Sequence, residues 1–218
     1  MEIKIEHDFF AHEAQLAAQN QALFQEMGLM AINLLAGPGA GKTSLIKQTH
    51  QMLSIPFAVI EGDPASSLDT EHLMTLGIPA VQINTEGGCH LEAAMIFKAL
   101  ESFKPAPRTL LWIENIGNLI CTAGYPLGEA LRIAMVGASE GDDKPFKYPY
   151  VFQDAACVIV NKIDLKPYVE FDSRRFAKGV QSVNRKAPIF EVSCKTGAGM
   201  EPLIHWLKLK AREFWGAS

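Results

Sequence analysis

Ala36-Gly37-Pro38-Gly39-Ala40-Gly41-Lys42-Thr43, followed by Ser44, has the make-up of a loop that cradles phosphate. Gly39 and Gly41 let the backbone curl so that its N–H groups converge on phosphate oxygens, at the positive end of the helix that follows. In the pattern GxxxxGK followed by Ser or Thr, the lysine reaches the terminal phosphates and the hydroxyl ligates Mg²⁺. Lys42 and Thr43 take those places, and Ala36 stands where the pattern has its first glycine. A plain strand-to-helix turn explains the glycines. It does not explain a lysine and a hydroxyl in this order after an apolar strand.

A second group reads a base. Asn161-Lys162-Ile163-Asp164 ends the apolar run "VIVNKIDL". A carboxylate at Asp164 can accept from both the N1–H and the 2-amino group of guanine. Adenine offers neither donor and would leave a buried acceptor unpaired, at a cost of about 1–3 kcal/mol or more for a charge. Four such residues alone commonly mark a surface turn. Downstream of a phosphate loop and ahead of "VSCKTG", they point to guanine, with Ser193, Cys194 and Lys195 closing over the base.

Acidic residues at strand ends complete the nucleotide chemistry. Glu114, at the end of "TLLWIE", has the place of a Walker-B carboxylate, and "EGDPASSLD" supplies Asp63 and Asp69. Lys42, Asp63, Asp69 and Glu114 are the candidate catalytic set. Thr43, Asp63, Asp69 and Glu114 are the candidate Mg²⁺ ligands, and the sequence does not choose between the aspartates. No glutamine or arginine occupies an obvious catalytic place, so the expected turnover is roughly 10⁻⁴ to 10⁻² per second without help.

Cys89, His90 and Cys121 form a separate group. "NTEGGCHLEAAMIFKAL" places Cys89 and His90 after two glycines at the start of a helical pattern, where a thiol has a depressed pKa. Cys121 lies seven positions after Glu114, in the same loop. Two thiolates and an imidazole suit zinc or nickel rather than magnesium or calcium. Three ligands leave such an ion incomplete, and a two-fold dimer doubles the set. The spacing by itself favours the plainer reading of two unrelated cysteines and a helix-capping histidine.

These groups require a scaffold of strands with loops at their carboxyl ends. Apolar runs recur at 30–36, 57–62, 79–84, 109–114, 131–139, 156–162 and 189–193, mostly without alternation, as in strands buried on both faces. Helical stretches fall at 42–53, 89–104 and 200–214, and a leading helix at 9–27 ends at Gly28. The expectation is a doubly wound α/β fold with a mostly parallel sheet of about seven strands and flanking helices. Residues 1–28 are read as an N-terminal helical segment, either packed or serving as a dimer arm, and 29–218 as one nucleotide-binding domain.

Composition narrows the partners. A formal net charge of -4 argues against phosphate-neutralising nucleic-acid binding. The N-terminus is charged and mixed rather than a signal peptide, and no apolar run approaches spanning length. Four cysteines without a CxxC pair fit a reducing cytoplasm.

With these motifs together, the chain resembles the HypB family, accessory GTPases that insert nickel during NiFe-hydrogenase maturation. The likeness runs from "AAQNQALFQEMGLMAINLL" to "VSCKTGAGM" and is most specific in "EGDPASSLD", "NTEGGCHLEAAM", "WIENIGNLIC", "EGDDKPFKYPYVF" and "VNKIDLKPYVEFD". The resemblance implies a SIMIBI-type P-loop GTPase, activated by nucleotide-dependent homodimerisation. It implies binding of GTP or GDP with Mg²⁺, and Ni²⁺ or Zn²⁺ held by Cys89, His90 and Cys121 at the subunit interface. Implied partners are a nickel-handling accessory protein and the hydrogenase large-subunit precursor. Three features depart from the family pattern. The N-terminal region has only His7 and His12 and no cysteine, Thr122 follows the third ligand where proline is usual, and "DPASSLDTEHL" matches loosely. The alternatives are a GTPase chaperone for another cofactor enzyme, of urease or cobalamin type, and a nucleotide-binding scaffold that does not hydrolyse. Adjacent Cys89 and His90, against a Cys-Pro-His motif in the urease branch, favour the hydrogenase branch.

Overall fold

The structure, a computed structural model, describes residues 5–63 and 67–216, with the side chains of 5–10 excepted. The side chain of His7 and positions 64–66 of the acidic segment therefore lie outside what is described.

The chain opens with helix α1 (Ile5–Glu26), then strand β1 (Leu29–Ala36), helix α2 (Lys42–Met52), β2 (Phe57–Asp63), α3 (Leu68–Thr75), β3 (Ala80–Asn84), α4 (Ala93–Ser102) and β4 (Thr109–Glu114). A 3₁₀ turn at Cys121–Gly124 leads to β5 (Leu131–Gly137). Two short helices, α5 (Lys144–Lys147) and α6 (Pro149–Gln153), precede β6 (Cys157–Asn161). Helix α7 (Ser173–Val183), β7 (Ile189–Glu191) and α8 (Met200–Trp215) complete it. All strand pairs are parallel, in the order β3-β2-β4-β1-β5-β6-β7.

Every residue of β1 is buried, because both faces carry helices. Strand alternation divides its side chains between them. Met30, Ile32 and Leu34 join Leu45 and Ile46 of α2 and Leu203 and Leu207 of α8. Leu29 and Ala31 pack with Phe24 of α1 and Ile96 and Leu100 of α4, while Leu35 joins Phe152 and Phe176 on the same side. The strand order reverses direction across β1, so its carboxyl end is the crevice where such sheets bind ligands.

Helix α1 lies against α4. Glu13, almost fully buried, accepts from Ala93 N at 3.4 Å, and Asn20 Nδ2 donates to Ala93 O and Leu127 O. Gly28 follows at φ 67, a left-handed conformation that suits a residue without a side chain, and its carbonyl accepts from Arg108 N and Trp215 Nε1. Helix α4 begins at Ala93, not at residue 89: Glu92 is its N-cap, and Cys89 and His90 stand ahead of it. Helices α3 and α7 add to the helical stretches expected from sequence. The latter carries a local signal, Asp172 accepting from Arg174 N and Arg175 N ahead of Phe176 and Val180. No helix among the described residues is long and apolar enough to cross a membrane.

Candidate functional site

The loop from β1 to α2 takes the shape that its glycines allow. Gly39 and Gly41 adopt φ 73 and 98, and a Cβ added at Gly41 would stand 2.6 Å from Asn161 Nδ2. Asn161 ties three segments together. Its Nδ2 donates to Ala40 O at 2.9 Å, and its Oδ1 accepts from Cys194 N at 3.1 Å. Lys162, itself at φ 62, donates from Nζ to Gly39 O at 2.5 Å. The sequence gives Asn161 and Lys162 a part in reading a base; the structure shows them bracing the phosphate loop as well.

Beside this junction opens a cleft of about 460 Å³ lined by Gly41, Ser44, Asn161, Lys162, Asp164, Leu165, Cys194 and Lys195. Its size falls in the range of small-ligand sites. Ser193 Oγ donates to Asp164 Oδ1 at 2.6 Å and accepts from Thr196 N, which fixes the carboxylate's orientation. Burial, with the nearby Asp164 charge, pushes the Cys194 thiol up to about 12. Cys194 therefore stays a neutral thiol, and its backbone N–H makes the structural contact.

At the other end of the phosphate loop lies a carboxylate group. Thr43 Oγ1 stands 2.9 Å from Glu114 Oε1 and 3.3 Å from Asp69 Oδ2, so its single proton is shared between two acceptors. Glu114 is 5% exposed, and its Oε2 is buried without a hydrogen-bond partner. Burial pushes its carboxyl up to about 7, against the lowering effects of the Lys42 ammonium and the Thr43 hydrogen bond. A buried orphan oxygen beside a hydroxyl and a second carboxylate is a donor set that fits a hard divalent cation such as Mg²⁺. Asp63 stands at the end of β2, and its charge is felt by Glu61.

Glu61 is a residue that sequence reasoning passed over. The β2–β4 register sets it opposite Glu114, and Thr70 Oγ1 donates to its Oε2. Burial raises its carboxyl, with Asp69 and Asp63 adding to the effect. The signal available in sequence is its place two residues before Asp63, on the same face of the strand. Glu140 is a second such residue. It accepts from Gly137 N at 2.7 Å, and a Cβ at Gly37 would meet its Oε2 at 2.5 Å. Gly117 closes the same wall from the β4 side, since a Cβ there would lie 2.9 Å from Pro38 Cα.

The sulfur residues lie one loop away. The Cys89 thiol meets that of Cys121, and it stands 3.5 Å from His90 Nδ1. The His90 ring stacks on Tyr125 with centroids 3.7 Å apart, and its buried Nε2 has Glu92 at 3.7 Å, beyond hydrogen-bond reach. The depressed thiol pKa expected for Cys89 is overturned. Cys89 is not at a helix N-terminus, and the Cys121 thiol beside it, followed by burial, pushes it up. Asn118 Oδ1 accepts from Cys121 N and Ile120 N, setting the turn that presents the second thiol. In this arrangement no three His, Cys, Asp or Glu side chains among the described residues form a group able to hold a metal ion. The two thiols come together, and His90 reaches only Cys89.

The family model described as CobW/HypB/UreG, nucleotide-binding domain, matches residues 31–191. Hydrogenase maturation factor HypB of Azotobacter chroococcum mcd 1 is 39% identical over 208 residues, covering 94% of this chain and 68% of that protein. The crystal structure of HypB from Helicobacter pylori in complex with nickel has a TM-score of 0.88 at 34% identity, covering 95% of this chain and 98% of that one. The structure of hydrogenase maturation factor HypB from Archaeoglobus fulgidus has a TM-score of 0.85 at 36% identity, covering 92% and 99%. With its phosphate loop and base-motif junction at the carboxyl end of the sheet and its two thiols one loop away, the chain belongs to the CobW/HypB/UreG family of nucleotide-binding proteins, in its hydrogenase maturation factor HypB branch.

Proposed function

We propose that this protein is a cytoplasmic GTPase that delivers nickel during hydrogenase maturation. Its nickel site would form from Cys89, His90 and Cys121 across a homodimer that GTP promotes. The observation that carries the reading is the short loop joining Glu114, with its unpartnered oxygen beside Thr43, to Cys121, whose thiol meets Cys89. One seven-residue step thus connects phosphate chemistry to sulfur chemistry.

The residues divide the work as follows. Gly37 to Ser44 wrap the phosphates, Lys42 neutralises the terminal ones, and Asp164 with the 193–195 loop selects guanine. Thr43, Asp69 and Glu114 would hold Mg²⁺, with Asp63 at their edge. The ion, when bound, neutralises charge on the β- and γ-phosphates. Water attacks the γ-phosphorus, the bond to the β–γ bridging oxygen breaks, and GDP and phosphate leave. With no arginine or glutamine supplied by the described site, turnover is slow and the cycle works as a timer.

Nickel is the cargo. Among the described residues two thiols come together with no third ligand, which suits a site completed by a second copy and opened again after hydrolysis. A nickel-handling accessory protein would supply the ion and a hydrogenase large-subunit precursor would accept it. Coupling of metal and nucleotide is reciprocal: whatever factor GTP adds to nickel affinity, nickel adds to GTP affinity. The test is nickel titration of the protein with and without a non-hydrolysable GTP analogue, read alongside molecular mass. Cys121→Ala is expected to weaken nickel binding while sparing basal hydrolysis. Unchanged nickel stoichiometry and affinity in that variant would return the cysteines to an incidental role.

A further inference from the structure

Directly after Glu114 stands Asn115, fully buried at the carboxyl end of β4. Its Oδ1 accepts from Ile116 N at 2.9 Å and from Leu91 N at 3.3 Å. Its Nδ2 donates to Asn33 Oδ1 on β1 at 3.2 Å. Asn33 passes the polarity on, its Nδ2 donating to Glu129 Oε1 at 3.1 Å. Glu129 Oε2 accepts from Leu127 N at 2.7 Å, and the same carboxylate pairs with Arg132 at 2.9 Å. Arg132 Nη1 then donates to Ala123 O at 3.0 Å.

The two branches end where the thiols are. Leu91 follows His90 directly, and its side chain lies against Gly62 of β2, where a Cβ would meet it at 2.8 Å. Ala123 lies in the 3₁₀ turn that begins at Cys121. The segment bearing Cys89 and His90 and the segment bearing Cys121 are therefore tied to one amide, and that amide is covalently joined to the residue with the orphan oxygen. The amide's orientation is dictated by its partners. The N–H groups of Leu91 and Ile116 can only donate, and the Glu129 carboxylate at the far end can only accept. A carboxylate at this position would lose the donor, and an apolar side chain would lose both. Buried networks of this kind have few alternative arrangements, so a turn of the 114–115 peptide must be followed by its branches.

We propose that Asn115 is the positioning residue that transmits nucleotide occupancy at Glu114 to both thiol-bearing segments. This rests on the nickel-carrier reading above, because it requires two ligands to couple. When the carboxylate of Glu114 is drawn toward the nucleotide's cation, the adjoining peptide moves. Asn115 then shifts Leu91 directly and Ala123 through Asn33, Glu129 and Arg132. A contiguous set of hydrogen bonds gives the route, and a coupling energy is its measure.

The test uses the full chain and compares wild type, Asn115→Ala and Arg132→Lys. Nickel Kd is measured without nucleotide and with saturating Mg²⁺ and a non-hydrolysable GTP analogue, and analogue Kd is measured with and without nickel. Wild type is expected to show a ratio of roughly fivefold or more, equal in both directions. In Asn115→Ala the ratio is expected to fall below about twofold, with both ligands still binding. Arg132→Lys removes the fork that holds Glu129 and Ala123 together while leaving the direct contact of Asn115 with Leu91, and is expected to give an intermediate ratio. A purely structural role for Asn115 would lower stability and leave the ratio intact. A folded Asn115→Ala protein with wild-type coupling overturns the proposal while leaving the carrier reading standing. If that variant does not fold, an undiminished ratio in Arg132→Lys overturns it. A wild-type ratio of one removes the carrier reading itself, and this inference with it.

Discussion

Glu114→Gln isolates the electrostatic tension at the centre of the site. Glu114 is 5% exposed, and its carboxyl is pushed from an ordinary value of 4.5 to about 7, chiefly by burial. Between those values the folded chain holds a proton that the unfolded chain has released, so stability falls as pH rises. The contribution is fully present below about 4.5 and is lost on passing about 7. Two and a half units at 1.36 kcal/mol each correspond to about 3 kcal/mol. Glutamine keeps an acceptor for Thr43 Oγ1 and cannot ionise, so the variant lacks this slope. Urea denaturation of the nucleotide-free protein in chelator, at pH 5, 6, 7 and 8, is the assay. The variant is expected to gain on wild type with rising pH, ending about 2.5 kcal/mol better off at pH 8 relative to pH 5. Glu61 and Glu140, both raised by burial, slope the same way in both proteins and largely cancel in the difference. With Mg²⁺ and GTP the sign reverses for wild type: the cation binds the ionised carboxylate, so affinity climbs toward pH 7 and levels above it. Parallel stability curves for the two proteins would refute the claim that a strained, buried Glu114 waits for a cation.

Two further substitutions test the walls of the cleft. Asp164→Asn exchanges an acceptor for a donor and is expected to cost GTP about five- to 150-fold in affinity, from the 1–3 kcal/mol of a mismatched buried group, while favouring the xanthine nucleotide. Competition binding with the two nucleotides measures it, and unchanged selectivity would remove Asp164 from base reading. Gly117→Ala places a Cβ 2.9 Å from Pro38 Cα and 3.1 Å from Pro38 N, so the phosphate loop has to shift. At about 1–3 kcal/mol for such overpacking, GTP affinity is expected to fall roughly tenfold with the fold retained. Calorimetric titration showing wild-type affinity would mean that the β4 loop does not press on the phosphate loop.

The parts of this protein that were legible in its sequence are those set by short-range chemistry. Glycines at 39 and 41 permit the backbone angles of a phosphate loop, and the apolar runs announced all seven strands to within a few residues. Asp164 and Ser193, although 29 positions apart, sat in motifs whose types and order already suggested one site. The start of α4 was misplaced because "GGCHLEAAM" has a helical composition, while the chain stays non-helical at Leu91 and extended at Glu92, with Leu91 buried against Gly62. Glu61 and Asn115 were invisible as functional residues for a different reason. Their meaning comes from the β2–β4 register and from hydrogen bonds across 24 and 82 positions. A sequence fixes which groups are present and which faces of its strands are apolar; parallel pairing then decides which carboxylate stands opposite which, and whether two distant cysteines meet. Those distances depend on close packing of a twisted sheet between helices, a sum over the whole chain that no local pattern contains.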